Sequence, residues 1–191
     1  MARSKEYDRD DVLEKAVGVF WRKGYKATSV TDIVEATGLN TASLYKEFGD
    51  KDGLFEESLE YYRKYIISPL FQCLIDEPNL GGIKQFIRGV VELAASNEYI
   101  GCLMMNSLAQ ESSISSGAFR KVNDFGAMVE GLLEAAFRNA QLSGDVSTKS
   151  DPKTLASYVI LFVHGMVLYG RYPAKKRDIP KLYDQILKGI T

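Results

Sequence analysis

Histidine occurs once in this chain, as His164, and cysteine twice, as Cys73 and Cys102, far apart and outside any C-x-x-C spacing. A zinc site needs three or four protein ligands drawn mainly from these residue types, so no metal site of that kind is expected. No N-x-[ST] sequon is present and the first residues lack a signal-peptide pattern, which leads to the expectation of a reducing, cytoplasmic setting. No excess of one charge exists either: 24 Lys and Arg face 25 Asp and Glu, a net charge of -1. Any affinity for nucleic acid must therefore come from a local surface. The longest apolar run, "LASYVILFVHGMVLYG" from Leu155 to Gly170, is short for a membrane span and is broken by Ser157, His164 and Gly165. It is read as a buried helix. A phosphate-binding loop is lacking, and an enzymatic reading with Cys102 as nucleophile and His164 as base has no orienting third residue, so neither catalysis nor a cofactor is expected.

What is present is ordinary globular composition, 46% hydrophobic and 26% charged, over 191 residues. That length holds one large helical domain, or a small module fused to a larger one. Apolar residues recur at helical spacing nearly throughout, and strand-like alternation is missing, so the chain is predicted to be all-α with about nine helices. The first helix spans roughly Asp8 to Lys23, acidic at its start and basic at its end. Ser29, with Asp32 three residues on, is a candidate N-cap for a very short second helix that Gly38 ends. Asn40 caps a third through "TASLYKEF", Gly49 closes it, and Asp50 caps a fourth that starts at Lys51 and that Pro69 kinks or ends. Longer helices follow near Leu80 to Asn97, Ser116 to Gln141 and Asp151 to Tyr172, with a short one around Cys102 to Gln110 and a terminal one near Lys181 to Lys188. "LSGDVSTKSDP" reads as a surface loop.

Two short helices joined by a tight turn containing Gly, here "ATGLN", form a helix-turn-helix whose second helix can enter the major groove of DNA. The small residues Thr41, Ala42 and Ser43 permit close approach to base edges, and their hydroxyl and methyl groups suit bases, phosphates and the thymine methyl. Tyr45 and Lys46 extend toward the DNA backbone. Thr28, Ser29 and Thr31 around the start of the second helix, and Lys51 at the start of the fourth, are candidate phosphate contacts. The plainer reading is an ordinary corner between two helices, which makes a helical protein-interaction module without DNA binding the alternative function.

The stretch "AVGVFWRKGYKATSVTDIVEATGLNTASLYKEFGDKDGLFEESLEYY" carries G-[YF]-x-x-[TS]-[TS], then D-I-x-x-x-x-G-[VL]-x-x-x-[ST]-[LI]-Y-x-x-F-x-x-K-x-x-L. On this combined pattern the chain resembles the tetracycline-repressor (TetR) family of bacterial one-component regulators. The resemblance implies that Thr31, Thr41, Ala42, Ser43, Tyr45, Lys46 and Lys51 line a DNA face while Leu44 and Phe48 are core. Glu47 departs from it, since many relatives have His there, and a carboxylate would repel a phosphate or accept from a cytosine amino group.

The resemblance also implies a division into a helix-turn-helix DNA-binding domain, residues 1–50, and a larger helical ligand-binding and dimerisation domain, residues 51–191. The expected partners are double-stranded DNA with a palindromic operator, a small-molecule inducer and a second copy of the chain. "DFGAMVEGLLEAAF" and "LASYVILFVHGMVLYG" fit the dimer, offering more apolar positions than one inward face needs, with Gly126, Gly131, Gly165 and Gly170 among them. Tyr62, Tyr65, Phe86, Cys102, Asn106, Phe125 and His164 are the candidate ligand contacts: apolar walls with a few polar points. Cys102, in "EYIGCLMMNSLAQE", is similar in setting to cysteines that sense oxidants in some relatives. It can do so only if partly exposed and with a lowered pKa; otherwise it is a buried, inert thiol.

Overall fold

The structure, a computed structural model, describes residues 7–190. The described residues are helical, with no strand among them. They form two compact units, one made of the residues up to Ile66 together with Cys102–Asp124, the other of Ile67–Gly101 together with the residues from Phe125 onward.

The first unit begins with α1 (Arg9–Lys23), capped by Asp8, whose side chain accepts from the Asp10 amide, and closed by Gly24. α2 (Val30–Thr37) starts with a full capping box: Ser29 Oγ accepts from the Asp32 amide, and the Asp32 side chain accepts from the Ser29 amide. Gly38 ends it at φ 75°, a left-handed conformation that costs a residue with a Cβ about 1–2 kcal/mol. The chain can thus turn at once into α3 (Thr41–Phe48), where the Asn40 side chain accepts from the Ser43 amide at 2.8 Å. Asp50 caps α4 (Lys51–Tyr61) in the same way, through the Gly53 amide.

These helices close around an aromatic centre. Phe20 and Phe55 meet edge to face at 4.8 Å between centroids, Tyr25 lies 4.9 Å from Phe55, and Trp21 meets Tyr62 at 5.1 Å. Ile33, Leu44, Leu54 and Leu59 fill the remainder and are wholly buried. Each such side chain contributes about 1.5–3 kcal/mol by leaving water. α7 (Leu103–Leu108) and the start of α8 (Ser116–Leu142) complete the unit. Ser115 accepts from the Ala118 amide and donates to Glu56 of α4, so it both caps α8 and ties it down.

Pro69 does not end the helical path. α4 passes into a π-helical turn, Tyr62–Ile67, and then into α5 (Ser68–Asp76), with Pro69 in its first turn. The missing N–H of proline costs little there, because first-turn amides lack intrahelical acceptors. In the second unit α5 packs on α6 (Leu80–Ala95). Phe71 lies 5.5 Å from Phe86 and 5.5 Å, edge to face, from Phe125 of α8. α9 (Pro152–Tyr169) joins α8 through Ser157 Oγ, which donates to Glu130 at 3.1 Å. A 3-10 segment, Pro173–Leu182, leads to α10 (Tyr183–Ile190), and the Tyr183 hydroxyl donates to the Lys84 carbonyl of α6.

α9 departs from the buried helix that its sequence suggests. It is long and apolar enough to count as a candidate membrane span by composition, yet one face packs inward through Leu155, Ala156, Val159, Met166 and Val167. The other is open, with Leu161 71% and Leu168 62% exposed.

Candidate nucleic-acid interface

The aim of α3 follows from its periodicity. Leu44 and Phe48 are four residues apart and buried, so they fix one face. Ala42 and Lys46 then stand opposite, exposed, beside Tyr45 at 43% exposure, and Thr41 is exposed at the helix start. Ser43 is half-buried. The Asn40 side chain occupies the Ser43 amide, while no comparable side chain among the described residues caps the Thr41 and Ala42 amides at the positive end of the helix dipole. On α2, Ser29 and Thr31 are exposed. Ser29 accepts in the capping box and keeps its hydroxyl proton for an outside acceptor.

Lys51 and Thr28 work as a pair. Thr28 is 2% exposed and its hydroxyl donates to the Gly24 carbonyl at 2.7 Å, so it presents no side chain to a phosphate. Its carbonyl accepts from Lys51 Nζ at 2.8 Å, and that ammonium lies 4.2 Å from the centre of the Tyr25 ring. Tyr25 is in turn held by Asp52, to which its hydroxyl donates. Burial first, and Asp52 second, push the Tyr25 phenol above its ordinary pKa, so it stays neutral.

The electrostatics are local. Lys15 is paired with Asp11, Lys23 with Asp32, Arg9 with Glu47 and Glu57, and Arg63 with Glu60. Among the described residues of the first unit, Arg22, Lys26, Lys46 and Lys51 have no carboxylate partner. Lys26, exposed before α2, was not among the residues singled out by the sequence pattern, although its place in the loop entering a helix-turn-helix could have signalled it.

Glu47 does not face outward. Its side chain is 14% exposed, accepts from Arg9 Nε at 3.0 Å and from the Tyr7 hydroxyl at 2.9 Å, and so neither repels a phosphate nor meets a base.

The candidate ligand contacts divide between the two units. In the first, Tyr62 and Cys102 are buried, Asn106 is half-buried and Tyr65 is 51% exposed. In the second, Phe86 and Phe125 are buried around Phe71, and His164 is half-buried on α9, its pKa lowered by burial. Burial likewise pushes the Cys102 thiol up, against hydrogen bonds from its own turn and Tyr62. It meets neither condition for a sensing thiol. A shallow groove in the second unit is lined by other residues, including Arg88, Glu92 and Tyr183, the Arg88 guanidinium lying over the Tyr183 ring.

A three-helix head with an exposed second helix in its turn motif is the architecture of a helix-turn-helix DNA-binding protein. Residues 12–58 match the family described as "Bacterial regulatory proteins, tetR family". Over 189 residues, 97% of this chain and 90% of the relative, the sequence is 29% identical to the HTH-type transcriptional repressor ComR of Escherichia coli. A second E. coli repressor, BdcR, is 33% identical over 79 residues, 41% of this chain and 40% of that protein. Among solved structures, a cysteine-substituted variant of the TetR family regulator CifR, in complex with 26-base-pair double-stranded operator DNA, superposes with a TM-score of 0.82 at 25% identity, covering 97% of this chain and 98% of that one. Over residues 12–58 the chain thus matches that family's DNA-binding segment, and over nearly its whole length it is similar to a repressor and to a DNA-bound TetR family regulator.

Proposed function

We propose that this protein is a DNA-binding transcriptional repressor, acting as a homodimer on a palindromic operator and released by a small-molecule inducer. The observation that carries the reading is the outward face of α3, where Thr41, Ala42, Tyr45 and Lys46 are exposed while Leu44 and Phe48 hold the helix from behind. The relatives support it: ComR and BdcR are named repressors, and the CifR variant was solved on operator DNA. DNA binding is assigned to residues 1–50, with Ser29, Thr31, Thr41, Ala42, Ser43, Tyr45 and Lys46 as contacts, joined by Lys51 at the start of α4, which the Thr28 carbonyl holds.

Dimerisation and effector binding are assigned to residues 51–191. The open face of α9 suits a second copy, because Leu161 and Leu168 are exposed and a Cβ on Gly165, or on Gly126 and Gly131 of α8, would meet nothing within 4 Å. Two heads about 34–36 Å apart then reach successive major grooves. The candidate effector contacts are Tyr62, Tyr65, Cys102 and Asn106 in the first unit and Phe86, Phe125 and His164 in the second, and an effector that favours one dimer shape by ~1–3 kcal/mol suffices to switch binding. The protein acts in the cytoplasm and without catalysis.

The reading is tested with duplexes selected by the protein from a random library, followed by mobility shift over a salt series. A repressor enriches a two-fold symmetric site and binds it with a steep negative salt slope. Failure to enrich any site would overturn it.

A further inference from the structure

We infer that Arg9 is a positioning residue for the recognition helix: one guanidinium, shared between Glu47 of α3 and Glu57 of α4, sets the angle at which α3 is offered to DNA. This rests on the repressor reading above. α3 has eight residues, too few to be a stable helix alone, so its direction depends on what its ends are fastened to. The start is held by Gly38 and the Asn40 cap. At its other end, Arg9 Nε donates to Glu47 Oε1 at 3.0 Å, Tyr7 donates to Oε2 of the same carboxylate at 2.9 Å, and the Arg9 guanidinium lies 5.3 Å from the centre of the Phe48 ring. Arg9 Nη2 donates to Glu57. Burial opposes the charge on Arg9, but the two carboxylates outweigh it and hold its pKa above the ordinary value.

Arg9 lies at the first turn of α1, and Glu47 flanks the buried face of α3, three residues from Leu44 and on the side away from Ala42 and Lys46. The cluster therefore sits behind the DNA face. Without Arg9, two carboxylates within reach of a single guanidinium confront each other and drive the end of α3 away from α4.

The test uses the full chain and the duplex selected by the wild type. Arg9→Gln is expected to weaken binding at least tenfold while leaving the slope of log K against log salt unchanged, because no phosphate contact is lost. Adding Glu57→Gln to Arg9→Gln is expected to restore part of that affinity by removing the repulsion. Three outcomes overturn the inference: Arg9→Gln binds as the wild type does, the slope falls by about 0.9 and makes Arg9 a phosphate contact, or a fold-only effect appears, in which melting falls but the folded fraction keeps the wild-type Kd. Should Arg9→Gln not fold, Glu47→Gln and Glu57→Gln carry the same comparison, each expected to weaken binding severalfold at constant slope. Wild-type protein that selects no duplex defeats the repressor reading itself, whereas wild-type binding with indifferent variants defeats only this one.

Discussion

The Lys51 ammonium is anchored to the backbone carbonyl of Thr28 at 2.8 Å while resting against the Tyr25 ring. One donor of three is thereby used and the side chain is held in place, so a phosphate reached by the other two is met without first ordering a lysine. Lys51→Ala is expected to weaken operator binding and to lower the magnitude of the salt slope by about 0.9, the share of one phosphate contact. Lys46→Ala, at an exposed position, should change the slope equally but leave thermal melting alone. Fluorescence anisotropy at several salt concentrations separates the two variants. An unchanged slope for Lys51→Ala removes it from the interface.

Asp32 makes the turn motif sensitive to acid. Lys23 Nζ donates to its carboxylate at 2.5 Å and the Ser29 amide at 2.9 Å, and with Lys23 as the largest cause its pKa falls from 3.8 to about 2. The unfolded chain therefore binds this proton more readily than the folded one, and the stability from Asp32 is complete above 3.8 and lost as pH falls toward 2. Asp32→Asn should be less stable than the wild type near neutral pH, with the gap closing as acid is added. Ser29→Ala, which removes the other half of the box, should cost about 1 kcal/mol. Urea melts at a series of pH values decide it; a gap that stays constant down to about pH 2 would contradict the linkage.

The difference between Asp32 and Glu47 shows what a sequence can reveal. Ser29 with Asp32, Gly38, Asn40 and Asp50 announce their helix ends because capping is local, a matter of two to four residues. The all-helical fold and the turn motif were legible for that reason. Glu47 finds Arg9 at a separation of 38 residues, and nothing in the local pattern points there. The π-helical turn and α5 were hidden because Pro69 reads as a stop whether it ends a helix or begins the next. Thr28 was misread because composition gives the polarity of a residue while burial depends on what packs over it, whereas the open face of α9 was foreshadowed by its surplus of apolar positions.

Cys102 is 8% exposed and its thiol is held above the ordinary pKa by burial. Thiol reagents act on the thiolate, so reaction with the folded protein near neutral pH should be slow. Cys73, less buried, should be alkylated first, and Cys102 only as the protein unfolds. Mass spectrometry of peptides after brief iodoacetamide treatment, with and without denaturant, reads this directly. Labelling of Cys102 in folded protein at the rate of a free thiol would reopen a role in oxidant sensing.

Leu161 and Leu168, seven residues apart on α9, stand on one stripe with Tyr158 and Gly165, and all four are exposed. Burying each leucine against a second copy would contribute about 1.5–3 kcal/mol, enough that two charges placed there should abolish pairing. Leu161→Lys combined with Leu168→Lys is expected to give a folded monomer. Its operator affinity should drop by more than tenfold, because the second head then binds as a separate molecule and its effective concentration is lost. Light scattering gives the mass and mobility shift the affinity. A double variant that remains dimeric would move the interface away from the open face of α9, and a monomer that keeps full affinity would show that one head is sufficient.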